Sequence, residues 1–345
     1  MTKISALGAG SWGSVLASML ADNGHEVALY AHRQVIADEI NQDHTNLHYM
    51  KDWTLNPSVW ASTDMGQVLK DCDVILFAVP TSAIRSVAKA VRQVLDENGR
   101  QPYLVSATKG IEPGTKKLVL QIFKDEIYPD GFDKMIVLSG PSHAENTAQK
   151  DLTAITLAST SLDNAAKMQK IFSNDYVRFY TSNDPIGVQV GGAAKNVIAI
   201  AAGILAGLGY GDNAKAALMT RGLAEITRLG VAFGGQPWTF SGLSGIGDLI
   251  VTCTSVNSRN WRCGYQLGQG KPLDEVLANM GQVVEGATTV KAVYEICDKY
   301  SLDMPISASI YKVLYEGAKI DDEIKLMMSR QLGPEIRISK RLAIF

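Results

Sequence analysis

The sequence predicts an α/β N-terminal half followed by an all-α C-terminal half. Three observations predict it. Short apolar runs around residues 3–7, 25–30, 73–79, 103–106 and 136–138 alternate with helix-spaced segments through the first half. A glycine-rich turn joins the first run to the first helical segment. From about residue 186 the strand-like runs stop and long helix-periodic segments take over. The expected domains are therefore residues 1–185 and 186–345, and 345 residues suffice for two substantial cores.

Lys3-Ile-Ser-Ala-Leu7 reads as a strand. It enters Gly8-Ala9-Gly10-Ser11-Trp12-Gly13, then Val15 to Leu20 with helical spacing, and after Gly24 a second strand, His25 to Tyr30. Strand, GxGxxG, helix and strand in that order mark a Rossmann-like dinucleotide-binding domain. Gly8 makes the tight turn, Gly10 lets backbone approach the pyrophosphate, and Gly13 lets helix and strand pack closely. The helix N-terminus supplies N–H donors and a positive dipole end for phosphates. The second strand ends in Tyr30-Ala-His32-Arg33, with no Asp or Glu for a ribose 2′-hydroxyl. His32 and Arg33 are placed to neutralise a 2′-phosphate, so the expected cofactor is NADPH or NADH. The plainer alternative is a solvated arginine on a loop.

Asp73–Val79, closed by Pro80, Tyr103–Ser106 and Ile136–Leu138 read as further strands, with a helix over Ile84–Leu95 between the first two. Continuous apolar runs of this kind suit a parallel sheet buried on both faces. Ligands of such sheets bind beyond the carboxyl ends of the strands. Pro80-Thr81, Ala107-Thr108-Lys109-Gly110 and Ser139-Gly140-Pro141-Ser142 fall at that edge and should converge with the glycine turn.

In the second half, residues 186–209 are apolar enough to approach membrane-span length, yet they carry Gln189, Lys195, Asn196 and six glycines. A buried helix is the better reading, and no integral membrane segment is expected. Asp212 should cap a helix over 213–229, with Arg221 and Glu225 forming an i,i+4 pair on its face. Thr239 to Asp248 reads as a tight inter-helix turn presenting Asp248, with a helix starting at Leu249. Ser258-Arg259-Asn260 follows, then helical segments over 290–299 and 306–314.

A net charge of −2 and a pI near 6.2 argue against a nucleic-acid partner. Cys72, Cys253, Cys263 and Cys297 form no CxxC pair and have no neighbouring histidine, so no metal site is expected. Four scattered cysteines suit a reducing cytoplasm, and the Met-Thr-Lys start runs directly into a strand rather than a secretory signal.

Lys195 carries the sharpest chemical signal, because a cation inside an apolar helix is costly unless it is paired or used. Desolvation pushes such a lysine toward acid–base work near neutral pH, and a nearby carboxylate tunes it the other way. Its bland alternative is a snorkelling structural lysine. All five histidines lie in the first half, and only His143 sits in a candidate site loop. Lys195 and Asp248 are therefore the titratable candidates of the second half. Arg259 offers a planar fork for phosphate, with Ser258 and Asn260 as neutral partners. Lys109, after a strand end, reads equally as an active-site ammonium or a solvated loop lysine.

Taken in order, Gly8-Ala-Gly-Ser-Trp-Gly13, Ser106-Ala-Thr-Lys-Gly-Ile-Glu112, Ser139-Gly-Pro-Ser142, Gly192-Ala-Ala-Lys-Asn-Val-Ile198, Gly207-Leu-Gly-Tyr-Gly-Asp-Asn-Ala-Lys215, Gly245-Ile-Gly-Asp-Leu249, Thr252-Cys-Thr-Ser255, Ser258-Arg-Asn260 and Val283-Val-Glu-Gly286 span nearly the whole chain. This set closely resembles the bacterial-type NAD(P)-dependent glycerol-3-phosphate dehydrogenases. The resemblance implies interconversion of dihydroxyacetone phosphate, a small phosphorylated triose, and sn-glycerol 3-phosphate, which feeds phospholipid synthesis. It implies a homodimer. By motif match it makes Lys195 the general acid/base and places Lys109, Gly140, Ser142, Asp248, Ser258, Arg259 and Asn260 on the substrate. It places Ser11, Trp12, His32, Arg33, Tyr49, Lys109, Ala144, Arg259, Val283 and Glu285 on the cofactor. Two positions depart from the family pattern. Gln189 replaces a usual Glu before the lysine motif, and His143 replaces a frequent aromatic after Gly-Pro-Ser. Both bear on rate and pH optimum. A β-hydroxyacid dehydrogenase or ketopantoate-type reductase shares the architecture, but Ser258-Arg-Asn260 with Gly245-Ile-Gly-Asp248 favours the phosphorylated triose. A non-catalytic NAD(P)H sensor would have no reason to keep Lys109, Lys195 and Asp248 together.

Overall fold

A computed structural model describes residues 1–281 and 283–335. The last ten residues of the expected second domain, 336–345, lie outside the described residues. The chain forms two compact units. The first comprises Met1–Lys109 and Lys117–Pro185; the second comprises Gly110–Lys116 and runs on from Ile186. The short segment Gly110–Lys116 thus belongs with the helical residues, although its place in the chain assigns it to the first domain.

The first unit has ten strands: β1 (Lys3–Leu7), β2 (Glu26–Tyr30), β3 (Thr45–Asn46), β4 (Met50–Thr54), β5 (Trp60–Ser62), β6 (Val74–Phe77), β7 (Tyr103–Ser106), β8 (Met135–Ser139), β9 (Thr153–Ala158) and β10 (Val177–Ser182). Eight of them make one sheet in the order β10-β9-β8-β7-β6-β1-β2-β5, while β3 and β4 form a separate antiparallel hairpin. The sheet is parallel from β5 to β8, as the apolar runs predict, and β8 and β9 pair antiparallel. The apolar runs that announced β6 and β8 are buried along their whole length. The edge strand β10 instead alternates, with Arg178 and Tyr180 facing out. One face on the core and one on solvent gives that period of two.

The chain order reverses direction at β1, which lies between β6 and β2. That switch point is where a doubly wound sheet opens a crevice at its carboxyl edge. The Gly8 N–H reaches the Tyr30 carbonyl at 3.2 Å, and Ala78 N–H reaches Leu7 at 2.9 Å. Gly8 has φ +113°, and a Cβ there would lie 2.7 Å from the Ala78 carbonyl oxygen. A Cβ on Gly13 would collide with the Gly8 carbonyl oxygen. Both positions therefore require glycine for the turn to fit between the strands.

The second unit is helical. Pro185–Gly207 forms one 23-residue helix that is long and apolar enough to cross a membrane, yet 83% of its most apolar stretch is buried inside the protein. It packs against the helix Arg259–Gly268 in backbone contact. A Cβ on Gly203 would strike the Trp261 carbonyl, and one on Gly264 would strike the Ile200 carbonyl. Glycines on both helices thus permit the close approach.

The helix expected over 213–229 runs from Asp212 to Ala232, with Gly211 at its N-cap and Asp212 as its first residue. The Arg221–Glu225 face pair does not form. Glu225 is 1% exposed and turns inward, accepting from Ile306 N–H (2.6 Å), Ser307 N–H (3.0 Å) and the Ser307 hydroxyl (2.9 Å). Arg221 donates to the Glu335 carbonyl instead. Glu225 thereby satisfies first-turn donors of the helix Pro305–Tyr315, which has no side-chain cap of its own.

Candidate active site

In the first unit, the glycine turn delivers the chain into the helix Ser11–Asp22. That helix has Gly10 as N-cap, no side-chain cap and no acidic residue in its first turn. A Cβ built on Gly10 meets nothing within 4 Å, so the turn is open on that side. The Trp12 Nε1 is buried without a hydrogen-bond partner, and so is the Arg33 Nε just past β2. An uncapped helix start, an open glycine and two orphaned donors suit a dinucleotide with its phosphates at the turn. His32 is exposed and Arg33 is the N-cap residue of the helix Gln34–Asp43.

The hairpin β3–β4 closes over the turn. Ser11 Oγ donates to the Tyr49 carbonyl at 3.2 Å. Trp12, Tyr49 and Trp53 pack on a small cluster of Val15, Met50 and Ala144. Ala144 opens the short helix after β8, and His143 is its N-cap residue. So Ser11, Trp12, Tyr49 and Ala144, distant in sequence, share one region of the unit.

At the ends of β7 and β8 a second set gathers. Lys109 Nζ donates to the Gly140 carbonyl at 3.1 Å, and Ser142 Oγ donates to the same oxygen at 2.9 Å. Thr108 Oγ1 holds the Val79 carbonyl at 2.7 Å, tying the loops after β6 and β7. The β7–β8 pairing brings Lys109 and Gly140 together.

In the second unit, Lys195 and Asp248 form a buried ion pair, with Lys195 Nζ also donating to Thr252 Oγ1 at 2.8 Å. Lys195 is 6% exposed and Asp248 1%. The Thr252 hydroxyl donates in turn to the Asp248 backbone carbonyl at 2.6 Å, one helical turn back. A wide π-type helical turn over Leu243–Gly247 runs directly into the helix Asp248–Thr254, so Asp248 stands at that helix's first residue. A Cβ on Gly191 would collide with the Ser244 carbonyl, so glycine one turn before Lys195 admits this approach. Thr252 is a partner that sequence reasoning did not single out, although its i,i+4 spacing from Asp248 was there to be read. Burial pushes the neighbouring Cys253 thiol up to about 12, with Lys195 opposing the shift and Asp248 adding to it.

Asn196 links this trio to the Ser258-Arg259-Asn260 turn. Its Oδ1 accepts from Asn260 Nδ2 at 2.9 Å, and Asn260 Oδ1 accepts from Gly286 N–H at 2.9 Å. Ser258 caps the helix Arg259–Gly268 by accepting from Trp261 N–H. Arg259 Nη1 reaches the Val283 carbonyl at 3.4 Å, and Glu285 opens the helix Glu285–Tyr300. The fold thus brings Lys195 and Asp248 together, Asn260 to Asn196, and Arg259 to Val283. Lys109, Gly140 and Ser142 gather in the other unit. All four cysteines are free, and among the described residues no group of three His, Cys, Asp or Glu side chains is placed to hold a metal ion.

An uncapped helix behind a glycine turn suits a pyridine dinucleotide, and an ammonium buried against a carboxylate suits proton transfer. Together they define a dinucleotide-dependent oxidoreductase built from an α/β unit and a helical unit. Comparison with known proteins resolves the class further. Residues 3–165 match the NAD-dependent glycerol-3-phosphate dehydrogenase N-terminus and residues 184–325 the corresponding C-terminus. The chain belongs to the NAD-dependent glycerol-3-phosphate dehydrogenase family. It is 99% identical over 338 residues to glycerol-3-phosphate dehydrogenase [NAD(P)+] 1 of Lactobacillus delbrueckii subsp. bulgaricus, covering 98% of this chain and all (100%) of the relative. It is 68% identical to glycerol-3-phosphate dehydrogenase [NAD(P)+] of Lactobacillus acidophilus, covering 98% of this chain and 100% of that relative. The crystal structure of glycerol-3-phosphate dehydrogenase from Coxiella burnetii superimposes with a TM-score of 0.89 at 33% identity, over 95% of this chain and 99% of that one. The chain is therefore an NAD(P)-dependent enzyme.

Proposed function

We infer that this enzyme interconverts dihydroxyacetone phosphate and sn-glycerol 3-phosphate, with NADH or NADPH as hydride partner. The observation that carries the reading is the buried Lys195–Asp248–Thr252 trio, in a chain whose two halves both match the family. When bound, the reduced nicotinamide supplies the hydride for the ketone carbon. Lys195, as ammonium, donates its proton to the oxygen that becomes the alcohol. Asp248 and Thr252 orient that ammonium, and Asp248 offsets its charge. Lys109 adds positive potential at the developing oxyanion. Arg259 grips the phosphate as a fork, with Ser258, Asn260, Gly140 and Ser142 completing the substrate set. Orienting the ketone in this way contributes up to roughly 7–11 kcal/mol of barrier reduction.

On the cofactor, Gly8, Gly10 and Gly13 form the pyrophosphate turn, and Ser11, Trp12, Tyr49, Ala144, Lys109, Arg259, Val283 and Glu285 contact the remainder. His32 and Arg33 read the 2′-phosphate of NADPH. The product serves phospholipid synthesis, the setting is the cytoplasm, and the working form is a homodimer. Residues 1–185 act as the dinucleotide-binding domain and 186–345 as the substrate domain.

The test is absorbance at the reduced-nicotinamide band with dihydroxyacetone phosphate and either NADPH or NADH. Rapid oxidation is expected, and the ratio of the two rates reports what His32 and Arg33 recognise. Tight dinucleotide binding without oxidation would sink the reading.

A further inference from the structure

The hairpin β3–β4 lies outside the main sheet, and its Asn46 reaches into the glycine turn. Asn46 is fully buried (0% exposed), and its Nδ2 donates to the Ala9 carbonyl and to Ser14 Oγ, both at 3.0 Å. The hairpin is itself anchored. Glu39 Oε1, on the helix Gln34–Asp43, accepts from Thr45 Oγ1 at 2.8 Å and from Leu47 N–H at 2.7 Å. Asn46 therefore acts from a fixed base.

The amide spends both its donors, and its Oδ1 is buried with no hydrogen-bond partner. A buried unpartnered acceptor costs stability. The opposite amide orientation would not help, because the Ala9 carbonyl can only accept. A residue selected for stability alone would not leave that debt at the centre of the turn. What the two donated bonds achieve is geometric. The Ala9 carbonyl and the Gly10 N–H belong to one planar trans peptide and point in opposite directions. Fixing Ala9 O toward the hairpin turns the Gly10 N–H toward the other face, and Gly10 is the position whose missing side chain leaves open space.

We propose that Asn46 is a positioning residue for the dinucleotide: it sets the Ala9–Gly10 peptide so that the Gly10 N–H faces the pyrophosphate. The proposal rests on the reading of Gly8–Gly13 as the dinucleotide turn. The pyrophosphate is common to NADH and NADPH, so Asn46 governs affinity for both alike and leaves their ratio alone.

The experiment measures the Kd of NADH and of NADPH by calorimetry, with steady-state kinetics and thermal melting alongside, for wild type, Asn46→Ala and Asn46→Asp. Asn46→Asp fills the same space but places a carboxylate oxygen against Ala9 O. The expected result is about tenfold weaker binding of both dinucleotides for Asn46→Ala, the value of one lost positioned hydrogen bond. Asn46→Asp should lose more. At saturating dinucleotide, kcat and the KM for dihydroxyacetone phosphate should stay within about twofold of wild type, and the NADPH-to-NADH ratio should not move. Kd values within twofold of wild type in a folded variant would overturn the assignment. So would failure of both variants to fold, since Asn46 would then serve the fold rather than the turn. If wild type binds neither dinucleotide, the cofactor site itself is wrong and the role of Asn46 falls with it.

Discussion

Lys195 and Glu225 occupy consecutive helices of the same unit and are both almost fully buried. Their polar heads are satisfied by different means. Lys195 meets an opposite charge, Asp248, and one hydroxyl. Glu225 meets two backbone N–H groups and one hydroxyl at the start of the Pro305–Tyr315 helix. Burial raises the Glu225 carboxyl to about 7, and the three hydrogen bonds and Arg228 only partly oppose it. One group is held against a counter-charge; the other fastens a helix end. Burial alone does not distinguish an ion-paired group from a helix-capping one. The nature of the partners does.

The comparison is broken most severely at Lys195. Lys195→Ala should lower kcat by at least about 10²-fold, the lower range for a general acid, with the fold intact by circular dichroism. Near-normal turnover would remove Lys195 from the chemistry. Asp248→Asn should leave a buried ammonium without its counter-charge and cost about 3–5 kcal/mol of stability in denaturant titrations. A loss under 1 kcal/mol would mean that the pair is dispensable.

Glu225 sharpens the contrast through pH. Its folded value, near 7, lies above the ordinary 4.5, so the protonated carboxyl is the form the fold prefers. Its contribution is complete below pH 4.5 and is lost as pH rises through 7. Glu225→Gln cannot ionise. Between pH 4.5 and 8 the wild type should therefore lose up to roughly 3 kcal/mol more stability than the variant. Parallel melting curves across that range would refute the assignment. The smallest effect is expected at Arg259. At saturating dinucleotide, Arg259→Ala should raise the KM for dihydroxyacetone phosphate about tenfold, the value of one charge-assisted hydrogen bond, and weaken use of unphosphorylated dihydroxyacetone much less. Equal losses on both substrates would count against a phosphate role.

The strands of the first half were legible wherever burial on both faces made the run continuously apolar, as in β6 and β8. The outer strands β9 and β10 were passed over, although Val177-Arg-Phe-Tyr-Thr-Ser182 alternates as an edge strand should. Lys195 and Asp248 stand out because a charge in an apolar or glycine-rich setting is unusual enough to be visible along the chain, and Arg259 because its planar fork sits between Ser258 and Asn260. Glu225 was misread for the converse reason. Its spacing from Arg221 fits a solvated helix pair, and nothing local reveals that its carboxyl oxygens serve the start of a helix about eighty residues later. Asn46 and Thr252 carried no such anomaly, since Asn and Thr are ordinary in hairpins and helices.

The sequence by itself determined the two-part architecture, the glycine turn and the residue types available for chemistry. Those follow from local rules: hydrophobic periodicity, the glycine spacing of the turn, and the cost of an isolated charge. The tertiary structure alone decided which groups meet. It joined Lys195 to Asp248 and Thr252, Asn196 to Asn260, Lys109 to Gly140, and Asn46 to Ala9. It also placed Gly110–Lys116 with the helical unit and reversed β9 against β8. Each of these pairs residues far apart in the chain, where the partner is selected by packing and by the need to satisfy every buried polar group, and neither condition is written in a local stretch of sequence.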